Sequence, residues 1–430
     1  MASPSISGRA VTSAFPFSHE ESKPSSAEET ISNSKSDPVF VPHVFDFVSI
    51  HNPTNFRGSS AVPSLYLEPL AVDQSIIVGH GASFTVFKRA IPAAPQISQT
   101  FDMGGWTMTV PRSQKSPPKH VVYKVARVAF TETGTPTPPT RHAMKAALME
   151  LYALMHEPLR QHPNIIDLLG LAWGSNYFDS SHRLPVLVVE FADHGSLADL
   201  QHRHDLMPST RHQLGLDIGH GLQMLHQCGI IHGDVKSENI LIFNHPERKY
   251  IAKLSDFGFS LVKEAADAKV YVGGTRPWKA PEARYPVAKH FLPATDIYSY
   301  GLLLWRLASD GHDPFRFWAP ISPSLQGDLY LQELEKMKED DHPLKNTSLD
   351  KWFMRYLSKK SKDPQPELSV DLSSLSLAER DPFYTRLPSV LEKCLSVDPS
   401  KRDLLQAIAA LENDSQTDEY VGLKINWVSC

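Results

Sequence analysis

The stretch IHGDVKSENIL, residues 231–241, sets a carboxylate, an ammonium and a carboxamide at Asp234, Lys236 and Asn239 between apolar flanks. Ile230 and Ile231 on one side, Ile240 and Leu241 on the other, predict a tight loop held between two buried anchors rather than a solvated helix face. Fifteen residues after Asn239 begins LSDFGFS, with Asp256 just past the apolar segment Tyr250–Leu254. Two short strands, Ile240–Phe243 and Tyr250–Leu254, bring Asn239 and Asp256 together. An amide oxygen and a carboxylate at close range are hard ligands suited to Mg²⁺, which is completed by waters and substrate phosphates. Lys236 then faces a transferred phosphate, and Asp234 accepts the proton of an attacking hydroxyl.

A chain of 430 residues exceeds the usual single domain, so one large two-lobed unit or two domains with a tail is expected. A net charge of −5 gives no global electrostatic pull toward nucleic acid or an anionic membrane, and neither partner is expected. Cys228, Cys394 and Cys430 are far apart and odd in number, which suits a reducing compartment, and they lack metal-site spacing. Ala2 excludes N-terminal myristoylation, and the terminal position of Cys430 excludes a prenylation box. The N-terminus has no signal pattern and the longest apolar stretch, Tyr300–Ala308, is too short to span a bilayer. A cytoplasmic or nuclear location is expected.

Residues 1–38 are rich in Ser, Pro and Glu, and the expectation is a disordered tail. Residues 75–90 predict two strands around a glycine turn, 121–130 a third, and the prolines of 131–140 a loop. Met144, Leu148, Leu151, Leu154 and Met155 predict a helix over 141–159, and the apolar run 184–192 a buried strand. Helical periodicity follows at 211–228, 295–309 and 386–396. Strands first and helices afterwards indicate an α+β arrangement of two lobes, joined near Ala192. Long insertions are expected at 91–119 and 313–385, the second with helices at 331–340 and 349–360.

These motifs, in this order, resemble the eukaryotic protein kinase family, serine/threonine type, from about residue 70 to about 412. The resemblance implies a bilobal fold within residues 39–412: a small β-rich N-lobe with one long helix, about 70–192, and a larger, mainly helical C-lobe, about 193–412, with 413–430 as a C-terminal tail. It implies that Val78, Gly79, Gly81 and Val86 form the turn over ATP phosphates. Lys124 in VVYK matches the strand lysine that holds the α- and β-phosphates, and Glu150 its ion-pair partner, twelve residues before HPNI at His162. Val122 lines the adenine slot, Val189 guards the back pocket, and Glu190 and Ala192 offer backbone groups to adenine, making their side-chain identity nearly irrelevant. IHGDVKSEN corresponds to the catalytic loop, Asp256-Phe257-Gly258 to DFG and Ala280-Pro281-Glu282 to APE. Asp296 matches a buried aspartate of a central helix, and Arg402 the partner of Glu282. Asn239 and Asp256 are implied to hold Mg²⁺. Lys236 and Thr275, which resemble the serine/threonine branch, imply ATP-dependent transfer to Ser or Thr hydroxyls of a protein substrate.

The sequence departs from the family pattern at three places. Gly233 replaces the arginine that couples a phosphorylated activation segment to activity, so independence from such phosphorylation is expected, even with Ser260, Tyr271 and Thr275 available. Phe84 replaces the third glycine of the phosphate loop, where a bulky residue at the tip keeps the backbone from the γ-phosphate. Val122 replaces a smaller alanine. Two rival readings stay open: a pseudokinase scaffold, on account of these departures and the insertions, and a small-molecule phosphotransferase on a related fold.

Overall fold

The computed structural model describes residues 76–81, 83–90, 101–102, 107–108, 120–128, 137–176, 179–263, 268–313, 315, 324–339 and 382–412, all within the unit Val44–Cys430. Strands β1 (Ile76–His80) and β2 (Phe84–Ala90) flank the glycine turn. A short pair, β3 (Phe101–Asp102) and β4 (Thr107–Met108), falls in the 91–119 insertion and precedes β5 (His120–Ala126), helix α1 (Pro138–Met155) and the single turn α2 (Glu157–Arg160). Strands β6 (Leu168–Asn176) and β7 (Asp179–Glu190) complete an antiparallel sheet of order β1-β2-β5-β7-β6.

Alternation along β5 divides its side chains between two environments. Val121, Tyr123 and Val125 pack with Phe87, Val186 and Val188 on one face. Val122 and Ala126 join the main core on the other, the face that also carries Lys124. Helix α1 starts at Pro138, inside the segment expected to be loop. Pro138 and Pro139 occupy the first turn, where a missing N–H costs nothing because those donors have no intrahelical partner.

The chain beyond β7 is mainly helical: α3 (Leu197–Arg203), α4 (Pro208–Gln227), α5 (Leu292–Ala308), α6 (Gly327–Glu339), α7 (Pro382–Cys394) and α8 (Leu404–Glu412). The sheet-rich first part and helical second part make the expected α+β arrangement. Ser196 and Asp199 form a reciprocal capping box that starts α3. Helix α5 is buried on nearly every side, with Tyr300, Leu304, Trp305 and Leu307 fully enclosed. No helix among the described residues is long and apolar enough to cross a membrane.

Two antiparallel pairs position the polar loops. Strand β8 (Ile230–Ile231) pairs with β11 (Leu261–Val262), and β9 (Ile240–Asn244) pairs with β10 (Tyr250–Leu254). Further on, β12 (Lys269–Val270) pairs with β13 (Val287–Ala288). The expected 1–38 tail, the 349–360 helix and the 413–430 tail lie outside the described residues, as do most of both expected insertions.

Candidate active site

Ile230 and Ile231 are fully buried, as are Ile240 and Ile242, so the loop 232–239 is anchored at both ends. Asp296 on α5 fixes its start. The carboxylate accepts the N–H of His232 at 2.8 Å and that of Gly233 at 2.9 Å, and lies 2.9 Å from His226 Nε2. The His232 ring stands over Phe257 with centroids 5.2 Å apart, and its Nε2 lies 3.1 Å from Ser255 O. His226 was not legible as a site residue, although its place just ahead of IIHGD was a signal.

Asp234 is nearly enclosed, 3% exposed, and each oxygen has defined partners. Oδ1 accepts the Thr275 N–H at 2.8 Å; Oδ2 takes Lys236 Nζ at 2.7 Å and Asn239 Nδ2 at 3.1 Å. Lys236 Nζ also donates to Thr275 Oγ1 at 2.8 Å. The four groups form one closed cluster, and the lysine ammonium holds both a carboxylate and a hydroxyl in place.

Asn239 and Asp256 meet where β9 begins and β10 ends. Ser255 donates its N–H and Oγ to Asn239 O at 3.0 and 2.9 Å, placing Asp256 one residue away. Asp256 has φ +63° and ψ +74°, a left-handed conformation unusual outside glycine and costly unless its surroundings enforce it. Its carboxylate is held below the usual range: burial opposes ionisation, but Lys124, His232 and Lys236 outweigh it. Lys124 Nζ lies 2.5 Å from Glu150 Oε1 and 3.7 Å from Asp256 Oδ1, so β5, α1 and the 256 turn converge on one ammonium. Burial works against that charge, and the two carboxylates overcome it and raise the lysine. Glu150 is itself pushed up to about 7 by burial, and its Oε2 is enclosed without a hydrogen-bond partner.

The donor chemistry fits a nucleotide with its cation. Asn239 commits its amide nitrogen to Asp234 O and Oδ2, so its oxygen is the atom that would face a metal, and the Asp256 side chain is 42% exposed. Two hard oxygen donors are too few for an all-protein cage and suit Mg²⁺ completed by phosphates.

At the expected adenine end, Val122 and Val189 are buried, Ala192 is 7% exposed, and Val86 packs partly against the same core. Gly79 sits in β1 opposite Val86, Gly81 donates its N–H to Phe84 O, and Val78 is half-exposed. Glu190 was expected to offer backbone groups with its side-chain identity nearly irrelevant, and the structure adds a part for the side chain in the fold. Its carboxylate takes Lys253 Nζ at 2.5 Å and the Asp167 N–H at 2.8 Å, tying the end of β7 to β10.

Phe84 corrects an expectation. Its ring is not at the loop tip. As the first residue of β2 it shares a face with Val86 and Lys124, is 5% exposed, and stands with its centroid 4.6 Å from Lys124 Nζ. Of the three hydroxyls read as open to phosphorylation, those of Tyr271, at 74%, and Thr275 belong to exposed residues. Ser260 is buried on His232 O at 3.2 Å, and Thr275 belongs to the Asp234 cluster.

Comparison with known proteins agrees with this geometry. The family model described as protein kinase domain matches residues 114–411. Over 240 residues the chain is 28% identical to ephrin type-A receptor 8 of Homo sapiens, covering 54% of this chain and 22% of that protein. Over 199 residues it is 28% identical to serine/threonine-protein kinase STY17 of Arabidopsis thaliana, covering 45% and 32%. Over 161 residues it is 34% identical to ephrin type-A receptor 3 of Danio rerio, covering 36% and 15%. The chain thus matches about a third or less of the length of each. The glycine turn precedes the family match, which takes in everything from the Lys124 strand to the Arg402 turn, and over that span the chain belongs to the protein kinase domain family.

Proposed function

We propose that this chain transfers the terminal phosphoryl group of ATP to serine or threonine hydroxyls of a protein. The observation that carries the reading is the Asp234–Lys236–Thr275 cluster, with contacts of 2.7 and 2.8 Å. Asp234 is fixed by donors on both oxygens, so it presents a set orientation to an incoming hydroxyl and accepts its proton during transfer. Lys236, beside it, offsets charge on the moving phosphoryl group. A lysine two residues after the aspartate, held to a threonine hydroxyl, supports serine or threonine as the acceptor. Among the relatives, one is named a serine/threonine-protein kinase.

Lys124 would hold the α- and β-phosphates, with Glu150 keeping its ammonium in place, and Asn239 and Asp256 would hold Mg²⁺. The bound cation supplies charge neutralisation between the phosphates. Val122, Val189, Glu190 and Ala192 border the adenine position, and Gly79 and Gly81 give the backbone close approach to the phosphates. Catalysis in such a site is alignment and electrostatics, because the transferred group requires no covalent intermediate with the protein.

One observation favours a second reading, a pseudokinase scaffold with weak or no transfer: the Phe84 ring rests against the ammonium that phosphates need. Incubation of the full chain with labelled ATP, Mg²⁺ and a degenerate serine-, threonine- and tyrosine-centred peptide library separates the two. The expected result is label on serine and threonine peptides. It falls by about two to four orders of magnitude in Asp234→Asn with ATP binding preserved, and it is lost in Asp256→Ala. A nucleotide-dependent thermal shift with no label on any peptide establishes the scaffold instead.

A further inference from the structure

We propose that Lys338 on α6 is a positioning residue for the acceptor peptide: its buried ammonium fixes the main chain of Pro277–Lys279, past which a substrate must run to reach Asp234. The inference rests on the phosphotransfer reading above. Lys338 is fully buried, and Nζ donates to Pro277 O, to Lys279 O at 2.9 Å and to Glu335 Oε1 at 3.1 Å. An ammonium has three N–H donors, and all three are satisfied by oxygen. Glu335, 4% exposed, is the one carboxylate among these acceptors.

A buried cation is costly, and an apolar residue of similar volume at the same place often gives equal or greater stability. What the lysine adds is direction, since two of its three bonds go to carbonyl oxygens of a segment about 60 residues earlier. Burial lowers its pKa, with Glu335 acting against the shift.

The segment it holds borders the catalytic cluster. Thr275 gives its N–H to Asp234 Oδ1 and its carbonyl takes the Trp278 N–H at 2.9 Å. Pro277 is two residues from Thr275, at most about 7 Å of chain. The segment's other bonds leave it little freedom: Trp278 O accepts Ser299 Oγ at 2.9 Å and Lys279 Nζ reaches Val272 O at 3.2 Å. Arg284 and Glu339 form a further ion pair between the following turn and α6. The carbonyls of Pro277 and Lys279 would lose their charged donor if Lys338 were truncated, and the acceptor platform would loosen without any change at Lys124, Asn239 or Asp256.

The test uses the full chain carrying Lys338→Met together with Glu335→Gln, so that no buried carboxylate is left unpaired, beside Lys336→Met, an exposed lysine on the same helix. The acceptor is the peptide that takes most label from the library. The double variant is expected to raise KM for peptide about tenfold with KM for ATP within about twofold, and to speed amide exchange in residues 276–283 selectively; Lys336→Met changes neither. Unchanged peptide KM and unchanged exchange overturn the inference. So does a parallel rise in both KM values with exchange accelerated throughout the C-lobe, which marks a general loss of structure. If the unaltered protein labels no peptide, the phosphotransfer reading fails and the acceptor role of Lys338 with it, and exchange at 276–283 then shows only whether Lys338 holds that segment.

Discussion

Gly233 holds its backbone at φ +76°, and a Cβ built on it would come within 2.6 Å of the Phe259 carbonyl oxygen. The contact is with main chain, so no side-chain rotation relieves it. The position next to Asp234 is thus closed to an ordinary side chain unless the 257–259 turn moves. Gly233→Arg is expected to lower stability by about 1 to 3 kcal/mol, the cost of enforced left-handed backbone, in a urea unfolding curve. Gly233 itself offers no cation to a phosphate on the exposed Tyr271, so activity of the unaltered protein is expected not to depend on activation-segment phosphorylation. Phosphatase-treated unaltered protein keeps its rate of peptide labelling; a loss of that rate on dephosphorylation contradicts this account.

Phe84 and Lys124 interact as ring and cation, 4.6 Å apart, in the space the nucleotide phosphates are proposed to enter. Entry then requires loss of a contact typically between about 0.5 and 2 kcal/mol. Phe84→Gly is expected to tighten ATP binding by about three- to thirtyfold, measured by calorimetric titration. The same change removes a buried aromatic side chain, so the unfolding midpoint is expected to fall while affinity rises. Two readouts of opposite sign distinguish relief of an obstruction from general damage, and weaker ATP binding by Phe84→Gly would sink the idea.

The polar loop and the DFG turn were legible because their chemistry is compressed: Asp234, Lys236, Asn239 and Asp256 fall within 23 residues, beside apolar strands that announce their own burial. Lys124 and Glu150 carry no such local mark and were legible through resemblance. What stayed hidden depends on pairing between distant segments. Glu190 meets Lys253 and Lys338 meets Pro277 across about 60 residues of chain, and no periodicity encodes either contact. The direction of Phe84 was hidden for a related reason, since strand register, and not residue identity, decides which face it joins. The start of α1 was misread because proline breaks a helix interior yet suits a first turn.

Glu150 is expected to make the proposed nucleotide site pH-sensitive. Burial raises its carboxyl from 4.5 to about 7, with Lys124 opposing and Asp256 adding to the rise. Between those values the folded protein binds a proton that the unfolded chain releases. This group's contribution to stability is therefore full below about pH 4.5 and is lost as pH rises through about 7. The ion pair with Lys124 runs the other way, forming as the carboxyl ionises above about 7. ATP affinity of the unaltered protein is expected to fall between about pH 8 and about pH 6, and Glu150→Gln to be weaker at the upper value and nearly flat across the range. Equal pH slopes for the two proteins in calorimetric titrations would remove Glu150 as the cause.

Arg402 and Glu282 join the turn before α8 to the Ala280-Pro281-Glu282 turn through two contacts, 2.6 and 2.9 Å. The arginine side chain is fully enclosed and also donates to Ala294 O at 2.8 Å and to Ser396 O at 2.7 Å, with its guanidinium over the Tyr298 ring. Removing one member of such a pair leaves the other's charge in a poorly solvated place, which typically costs about 3 to 5 kcal/mol. Glu282 retains 19% exposure, so Arg402→Met is expected near the lower end of that range, and Arg402→Met combined with Glu282→Gln less, because no charge is then stranded. Urea unfolding of the two variants checks the order. If the two variants are equally destabilised, the cost lies in the carbonyl bonds to Ala294 and Ser396, which both lose, and the arginine's main work is to hold α5 to the loop before Arg402; a less stable double variant contradicts the stranded-charge argument.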